Sequence, residues 1–244
     1  MALAIIPARR GSKGVPGKNV HPILGRPLLK FTTDVLLRVL PPEAIYVCTD
    51  SPEYMELAVS WGMTRRSLRP EELGGDDVTM HSLLRWVLAE SEVADYSGTV
   101  LLCQPTAPFR SGDDIAAMLR RASEVRPASV VSVVESDVLP TQMYRIDRSD
   151  APLEPVDVRA HSGANRQTIG RYVRRNGSMF AFDSEHFRSI GSVYSDPTYC
   201  VEMPRERSID INSQRDLDAL LEHLRTQAVT SATLDGYLRD LERF

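Results

Sequence analysis

Short apolar runs alternate along the chain with segments whose apolar positions recur every three or four residues. Leu3 to Ile6 reads as a buried strand, because consecutive apolar residues leave no face for water. Leu28, Leu29, Phe31, Val35, Leu36 and Val39 then recur at helical spacing until Pro41 and Pro42 end the helix. Ala44 to Cys48 predicts a strand and Glu53 to Ser60 a short helix. Thr79 to Glu90 predicts a helix and Thr99 to Cys103 a strand. Ser111, with Asp114 three residues on, opens a further helix that ends near Val125, before Arg126-Pro127. Ser129 to Val134, β-branched and uncharged, predicts a core strand.

This order predicts an α/β fold, a mostly parallel twisted sheet with helices on both faces. The rhythm breaks from Val138 to Arg175, which is richer in proline, arginine and polar residues and reads as an inserted arm. Core character returns at Gly177 to Phe182 and Tyr199 to Pro204. A helix capped by Ser213 carries Leu217, Leu220, Leu221 and Leu224 on one face. From Val229 to Phe244 a last helix is expected, with Leu234, Tyr237, Leu238 and Leu241 as its stripe. The expected organisation is one α/β domain over residues 1–137 and 176–228, an arm over 138–175, and a C-terminal extension over 229–244.

Composition narrows the function. A formal net charge of −4 over 244 residues argues against a nucleic-acid partner held by bulk electrostatics, although a local basic patch remains compatible. No apolar stretch approaches a membrane span, and a cytoplasmic protein is expected. Cys48, Cys103 and Cys200 lack metal-ligand spacing and read as reduced thiols; the five histidines form no ligand set.

The chemistry concentrates in the run from Ile6 to Asn19. A buried strand delivers the chain into a loop holding Arg9, Arg10, Gly11, Ser12, Lys13, Gly14, Gly17, Lys18 and Asn19, and a helix follows. Backbone N–H groups and cations converging on one point suit a polyphosphate. It is not a Walker A loop, since five residues separate Gly11 from Gly17 and Asn19 follows Lys18. Further on, Leu68 to Leu73 (LRPEEL), Leu102 to Arg110 (LCQPTAPFR) and Ser208 to Asn212 (SIDIN) follow in order.

Together these segments resemble the acylneuraminate cytidylyltransferases, over roughly residues 3 to 225. The resemblance implies a fold of the nucleotide-diphospho-sugar transferase (Rossmann-like) kind and a nucleotide site built from Ala8, Arg9, Gly11, Ser12, Lys18 and Asn19. Arg69 would lie beside the cytosine, with backbone from Asp77 to Met80, including Thr79, completing the base pocket. Gln104, Gln142, Arg166, Asn176, Phe180 and Tyr194 would face the acceptor. Asp210 and Asn212 would hold Mg²⁺ (or Mn²⁺), and Arg9, Lys18 and Asp210 would carry the catalysis.

This chain departs from that pattern in three respects. Asn212 stands where the family offers a second aspartate and lends a carbonyl oxygen without charge. Gln142 stands where a lysine is common, and Phe180 where a tyrosine is usual. The expected activity is transfer of CMP from CTP to a sialic or other nonulosonic acid with release of pyrophosphate. A same-fold cytidylyltransferase for 3-deoxy-octulosonate or a small phosphonate, and a silent nucleotide-binding protein, stay open. A homodimer is expected, with the arm crossing to its partner, because its apolar residues exceed what a solvated loop carries.

Overall fold

The structure is a computed structural model that describes all residues except 13, 76, 147, 149–151, 158–169 and 244. The strands are β1 (Leu3–Pro7), β2 (Pro22–Ile23), β3 (Arg26–Pro27), β4 (Ile45–Thr49), β5 (Arg65–Leu68), β6 (Thr99–Cys103), β7 (Ser129–Glu135), β8 (Tyr144–Arg145), β9 (Glu154–Pro155), β10 (Val173–Asp183) and β11 (Thr198–Glu202). The helices are α1 (Leu28–Val39), α2 (Pro52–Ser60), α3 (Met80–Glu90), α4 (Gly112–Val125), α5 (Ser184–Ile190), α6 (Gln214–Thr226) and α7 (Leu234–Leu241).

Seven strands form one sheet in the order β11-β7-β10-β6-β1-β4-β5. Every pairing is parallel except those of β10, which runs antiparallel to both β6 and β7. The mostly parallel sheet expected from the alternating pattern is therefore present. β5 was not foreseen: it is an edge strand whose sequence, RRSL, lacks an apolar run.

Alternation along the strands divides the core between the two faces. Ala4, Ile6, Val47, Leu101 and Cys103 meet Leu29, Leu36, Ile115 and Met118 of α1 and α4 on one side. On the other side Leu3, Ile5, Tyr46 and Leu102 meet Leu84, Val87, Leu88 and Phe187 of α3 and α5. Helix starts follow local capping: Ser111 and Ser213 each form a capping box with the aspartate three residues on, and Thr79 accepts from the Ser82 N–H at 3.1 Å.

A third core sits beside the sheet. Leu217, Leu220 and Leu224 of α6 and Leu234 and Leu241 of α7 enclose Val15, Phe31, Phe109 and Ile211. Residues 229–241 thus close a core that also holds Val15 of the basic loop. A buried ion pair fixes this corner: Arg207 donates to both oxygens of Asp114 at 2.8 Å and to the Leu241 carbonyl at 2.7 Å. Cys48 and Cys103 are buried and Cys200 is exposed; burial pushes the Cys48 thiol up to about 12. Among the described residues no helix is long and apolar enough to cross a membrane.

Candidate active site

The order of strands reverses between β1 and β6: the chain builds outward from β1 to β4 and β5, then returns to lay β6 on the opposite side. Open α/β sheets place ligands at the carboxyl ends of the strands around such a point. Here the loops after β1, β5 and β6 meet there. Because β10 is antiparallel, its first residues reach the same end.

Two cavities occupy this place. The first, about 440 Å³, is lined by Arg9, Ser12, Gly14, Lys18, Asn19, Arg69, Val78, Thr79, Met80, Gln104 and Asn212, among others. The second, about 550 Å³, is lined by Met80, His81, Leu102, Gln104, Arg174, Arg175, Gly177, Phe180, Val193, Tyr194 and Asp210. Met80 and Gln104 belong to both, so the cavities adjoin across these two side chains.

The basic loop is pinned rather than free. Lys18 Nζ donates to the Ile211 carbonyl at 3.0 Å, and Asn19 Nδ2 to the Arg9 carbonyl at 2.9 Å. Gly14 lies against residue 212 so closely that a Cβ there would stand 2.2 Å from the Asn212 carbonyl oxygen. This approach locks the loop to the strand-end segment carrying Asp210, and only glycine permits it. Lys18 is lowered from its ordinary value chiefly by burial, with the Asp210 carboxylate opposing that shift and Arg9 adding to it.

Arg69 is a buried cation whose Nε and Nη2 have no hydrogen-bond acceptor. Its nearest countercharge, Asp50, stands 3.5 Å from Nη2 and is already engaged by the Arg10 N–H at 2.7 Å. Buried donors without acceptors are costly unless a ligand supplies them, and these line the first cavity. Thr79 spends its hydroxyl on capping α3, so what it offers the cavity is backbone at the positive end of a helix.

Gln104 is held through its backbone. Its N–H donates to the Ser178 carbonyl at 3.2 Å, and its carbonyl accepts from Arg110. Arg110 is itself buried and also donates to Ser178 Oγ at 3.1 Å and Thr32 Oγ1 at 2.9 Å. The Gln104 side chain is thereby directed to the boundary of the cavities.

Asp210 Oδ2 accepts from Asn212 Nδ2 at 2.8 Å, whereas Asp210 Oδ1 is buried with no hydrogen-bond partner. Gly177, at φ 72°, passes beneath it, and a Cβ there would stand 2.7 Å from Oδ2. Asp210 opens on the second cavity and Asn212 on the first.

Most residues picked out in the sequence converge here, with five exceptions. Asn176 does not reach the acceptor cavity: it is buried, its Oδ1 accepts from Ser132 Oγ at 2.6 Å, and its Nδ2 donates to Ser208 Oγ at 2.9 Å. It ties β7, β10 and the 203–208 segment together, and a fully engaged amide has nothing left for a ligand. Gln142 is turned away as well, its Oε1 accepting from the Leu139 N–H at 3.2 Å. Ala8 and Gly11 line neither cavity; Ala8 is core, its N–H donating to the Cys48 carbonyl at 2.9 Å. Arg166 lies outside the described residues. The sequence reading missed His81, Arg174 and Arg175. A place in the first turn of the helix that Thr79 caps was a signal for His81; for the arginines there was none, because strict alternation sends neighbours on a strand to opposite faces.

Fold and site together define an α/β architecture of the nucleotidyltransferase kind, with two adjoining cavities at the carboxyl end of the sheet, the first lined by the cations Arg9, Lys18 and Arg69. Solved structures of that fold include a CMP:2-keto-3-deoxy-manno-octonic acid synthetase complexed with CTP, at TM-score 0.66 and 14% identity over 93% of this chain and 99% of that one. A 4-diphosphocytidyl-2C-methyl-D-erythritol synthase from Anaerococcus prevotii matches at TM-score 0.62 and 17% identity, over 92% and 96% of the two chains. At these identities the likeness is one of fold.

Sequence carries the assignment further. The profile of the cytidylyltransferase family matches residues 3–159. An N-acylneuraminate cytidylyltransferase of Escherichia coli O18:K1:H7 is 32% identical over 216 residues, 88% of this chain and 50% of that protein. A CMP-N,N'-diacetyllegionaminic acid synthase of Legionella pneumophila is 33% identical over 223 residues, 88% of this chain and 92% of that protein. The chain belongs to the cytidylyltransferase family. It spans about half the length of the Escherichia coli relative and nearly all of the Legionella one.

Proposed function

We propose that this chain transfers CMP from CTP to the anomeric hydroxyl of an acidic sugar, a sialic or other nonulosonic acid, and releases pyrophosphate. The observation that carries this reading is the junction of two cavities at Gln104 and Met80, with Asp210 opening on one side and its hydrogen-bonded neighbour Asn212 on the other. The activities that the Escherichia coli and Legionella relatives are named for point to the same class of acceptor.

In this reading Arg69 offers its unpaired N–H groups to the acceptor edge of cytosine, and the loop carrying Arg9, Ser12 and Lys18 embraces the triphosphate. The acceptor hydroxyl gives its proton to solvent as its oxygen bonds the α-phosphorus, the bond from that phosphorus to the oxygen bridging the α- and β-phosphates breaks, and pyrophosphate leaves. Arg9 and Lys18 neutralise charge growing on that leaving group, and Gln104 positions the acceptor at the boundary.

The residues present fit a magnesium or manganese ion. A buried carboxylate oxygen without a hydrogen-bond donor, Asp210 Oδ1, is what a hard cation requires. Among the described residues no three His, Cys, Asp or Glu side chains cluster for a metal, so the other ligands would come from phosphate oxygens. Asn212 presents its amide nitrogen to Asp210 and would turn over to join as a ligand. A bound ion would supply charge neutralisation and acidify the attacking hydroxyl.

A homodimer completes the reading. Val138, Met143, Tyr144, Ile146, Leu153 and Val156 of the arm are exposed, and a second copy of the arm is the natural cover. The test of the function is pyrophosphate release with CTP or ATP against a panel of acidic sugars. Release with CTP and an acid, and little with ATP, is expected, because donors placed for one base edge stay unpaired with another. Equal turnover of both nucleotides would remove the cytidylyl reading.

A further inference from the structure

The second cavity carries an excess of positive charge that the residues around it do not balance. Arg174 and Arg175 both line it, and Asp210 is the one carboxylate among its lining residues. Among the described residues neither arginine is ion-paired, although the protein places guanidinium groups opposite carboxylates at many other points.

That Arg175 and Phe180, an odd number of positions apart on β10, line one cavity needs a cause. On a regular strand, neighbours point to opposite faces. The register of β10 against β7 shifts between Arg175 and Phe180, a bulge containing Gly177 at φ 72°. The shift sets Arg175 opposite Val133 and Phe180 opposite Val131, so these two side chains fall on one face and line the same space.

Arg175 is also held in place. Its Nη1 donates to the Tyr194 hydroxyl, and its guanidinium lies 5.2 Å from the Tyr194 ring centre. Tyr194 in turn packs edge-on to Phe180, with centroids 6.1 Å apart and planes at 79°, and its N–H donates to Ser192 Oγ at 3.0 Å. The neighbouring Val193 N–H meets His81 Nε2 at 3.4 Å. A guanidinium has five N–H donors in a rigid fork, and these contacts account for one of them. An exposed arginine would ordinarily lose conformational freedom on binding; one already held against a tyrosine loses less.

We propose that Arg175, held by Tyr194, binds the carboxylate of the acceptor from within this same chain and so restricts the second substrate to acids. The inference rests on the transfer reaction proposed above and names the group that selects its acceptor. The fork pairs with a planar carboxylate through two parallel N–H···O bonds, with Arg174 beside it adding charge.

The test uses the full chain with N-acetylneuraminate and its methyl ester as probes, reading pyrophosphate release and, separately, calorimetric binding in the presence of a non-hydrolysable CTP analogue. In Arg175→Gln, KM for the acid is expected to rise about 10- to 100-fold, with kcat and KM for CTP within about twofold. The variant should also lose the wild-type preference for acid over ester. Arg175→Lys, which keeps charge without the fork, should fall between, and Tyr194→Phe should raise KM less than Arg175→Gln. A merely structural role would instead lower thermal stability and affect CTP and acceptor alike. If the wild type turns over the acid and Arg175→Gln matches it in KM and in preference, this inference falls while the transfer reaction stands. If the wild type shows no turnover yet binds the acid more tightly than Arg175→Gln does, the transfer reading falls and the carboxylate site stands. Neither turnover nor binding of the acid would overturn both.

Discussion

Replacing Gly177 by alanine isolates the placement of Asp210 from the stability of the fold. At φ 72° an alanine costs about 1 to 2 kcal/mol relative to glycine, since a left-handed conformation crowds Cβ against the backbone. The new methyl would also stand 2.7 Å from Asp210 Oδ2, where ordinary contact begins near 3.4 Å, so the carboxylate must retreat by about 0.7 Å. The carboxylate can move, but Oδ2 is hydrogen-bonded to Asn212 and Oδ1 is enclosed. The strain is therefore expressed as displacement of the Asp210 carboxylate, the proposed metal ligand, more than as unfolding. A misplacement approaching 1 Å at a reaction centre costs roughly 100-fold in rate. Gly62→Ala is the control: its φ is 97°, and nothing lies within 4 Å of the added Cβ. Urea denaturation should show both variants destabilised by a comparable 1 to 2 kcal/mol or so, while kcat falls about 100-fold in Gly177→Ala alone. Equal activity of the two folded variants would refute the claim that Gly177 exists to make room for Asp210.

Three further outcomes are expected. Arg207→Ala leaves Asp114 buried without its partner and should destabilise the protein by about 3 to 5 kcal/mol in urea titration; a change under about 1 kcal/mol would mean the pair is hydrated. Burial lowers Lys18 below its ordinary 10.5, so on raising the pH it loses its charge earlier than a free lysine, and KM for CTP should climb on the alkaline side below that value. Lys18→Arg should move that limb upward, and an unmoved limb would assign it to another group. In native protein at neutral pH a thiol reagent should modify Cys200 quickly and reach Cys48 and Cys103 only on unfolding; rapid labelling of all three would contradict the burial described.

What could be read from the sequence was what local chemistry encodes. The capping serines Ser111 and Ser213, the apolar stripes of α1 and α6, and the β-branched run of β7 each state their element within a few residues. The basic loop was legible because cations and glycines are rarely combined without a ligand. Strand direction was not: nothing within Val173 to Asp183 says that it pairs antiparallel with β6 and β7, because direction is set by how the chain returns after the arm. The bulge that brings Arg175 and Phe180 to one face depends on register with β7 and leaves no local mark beyond Gly177. Asn176 was expected at the acceptor through the family resemblance; its burial against Ser132 and Ser208 depends on two other segments. The docking of α7 was equally silent, since its stripe announces a helix but not the Val15, Phe31 and Phe109 side chains it covers.

The central claim is that the α-phosphoryl group of CTP passes to an acidic sugar. Supplying CTP that carries oxygen-18 on the non-bridging oxygens of its α-phosphate, with magnesium and an acidic sugar, and following the label by mass spectrometry tests it most directly. The account expects label joined to the sugar as its CMP conjugate and unlabelled pyrophosphate released in equal amount. Label found only in free CMP, with pyrophosphate released whether or not the sugar is present, would contradict it.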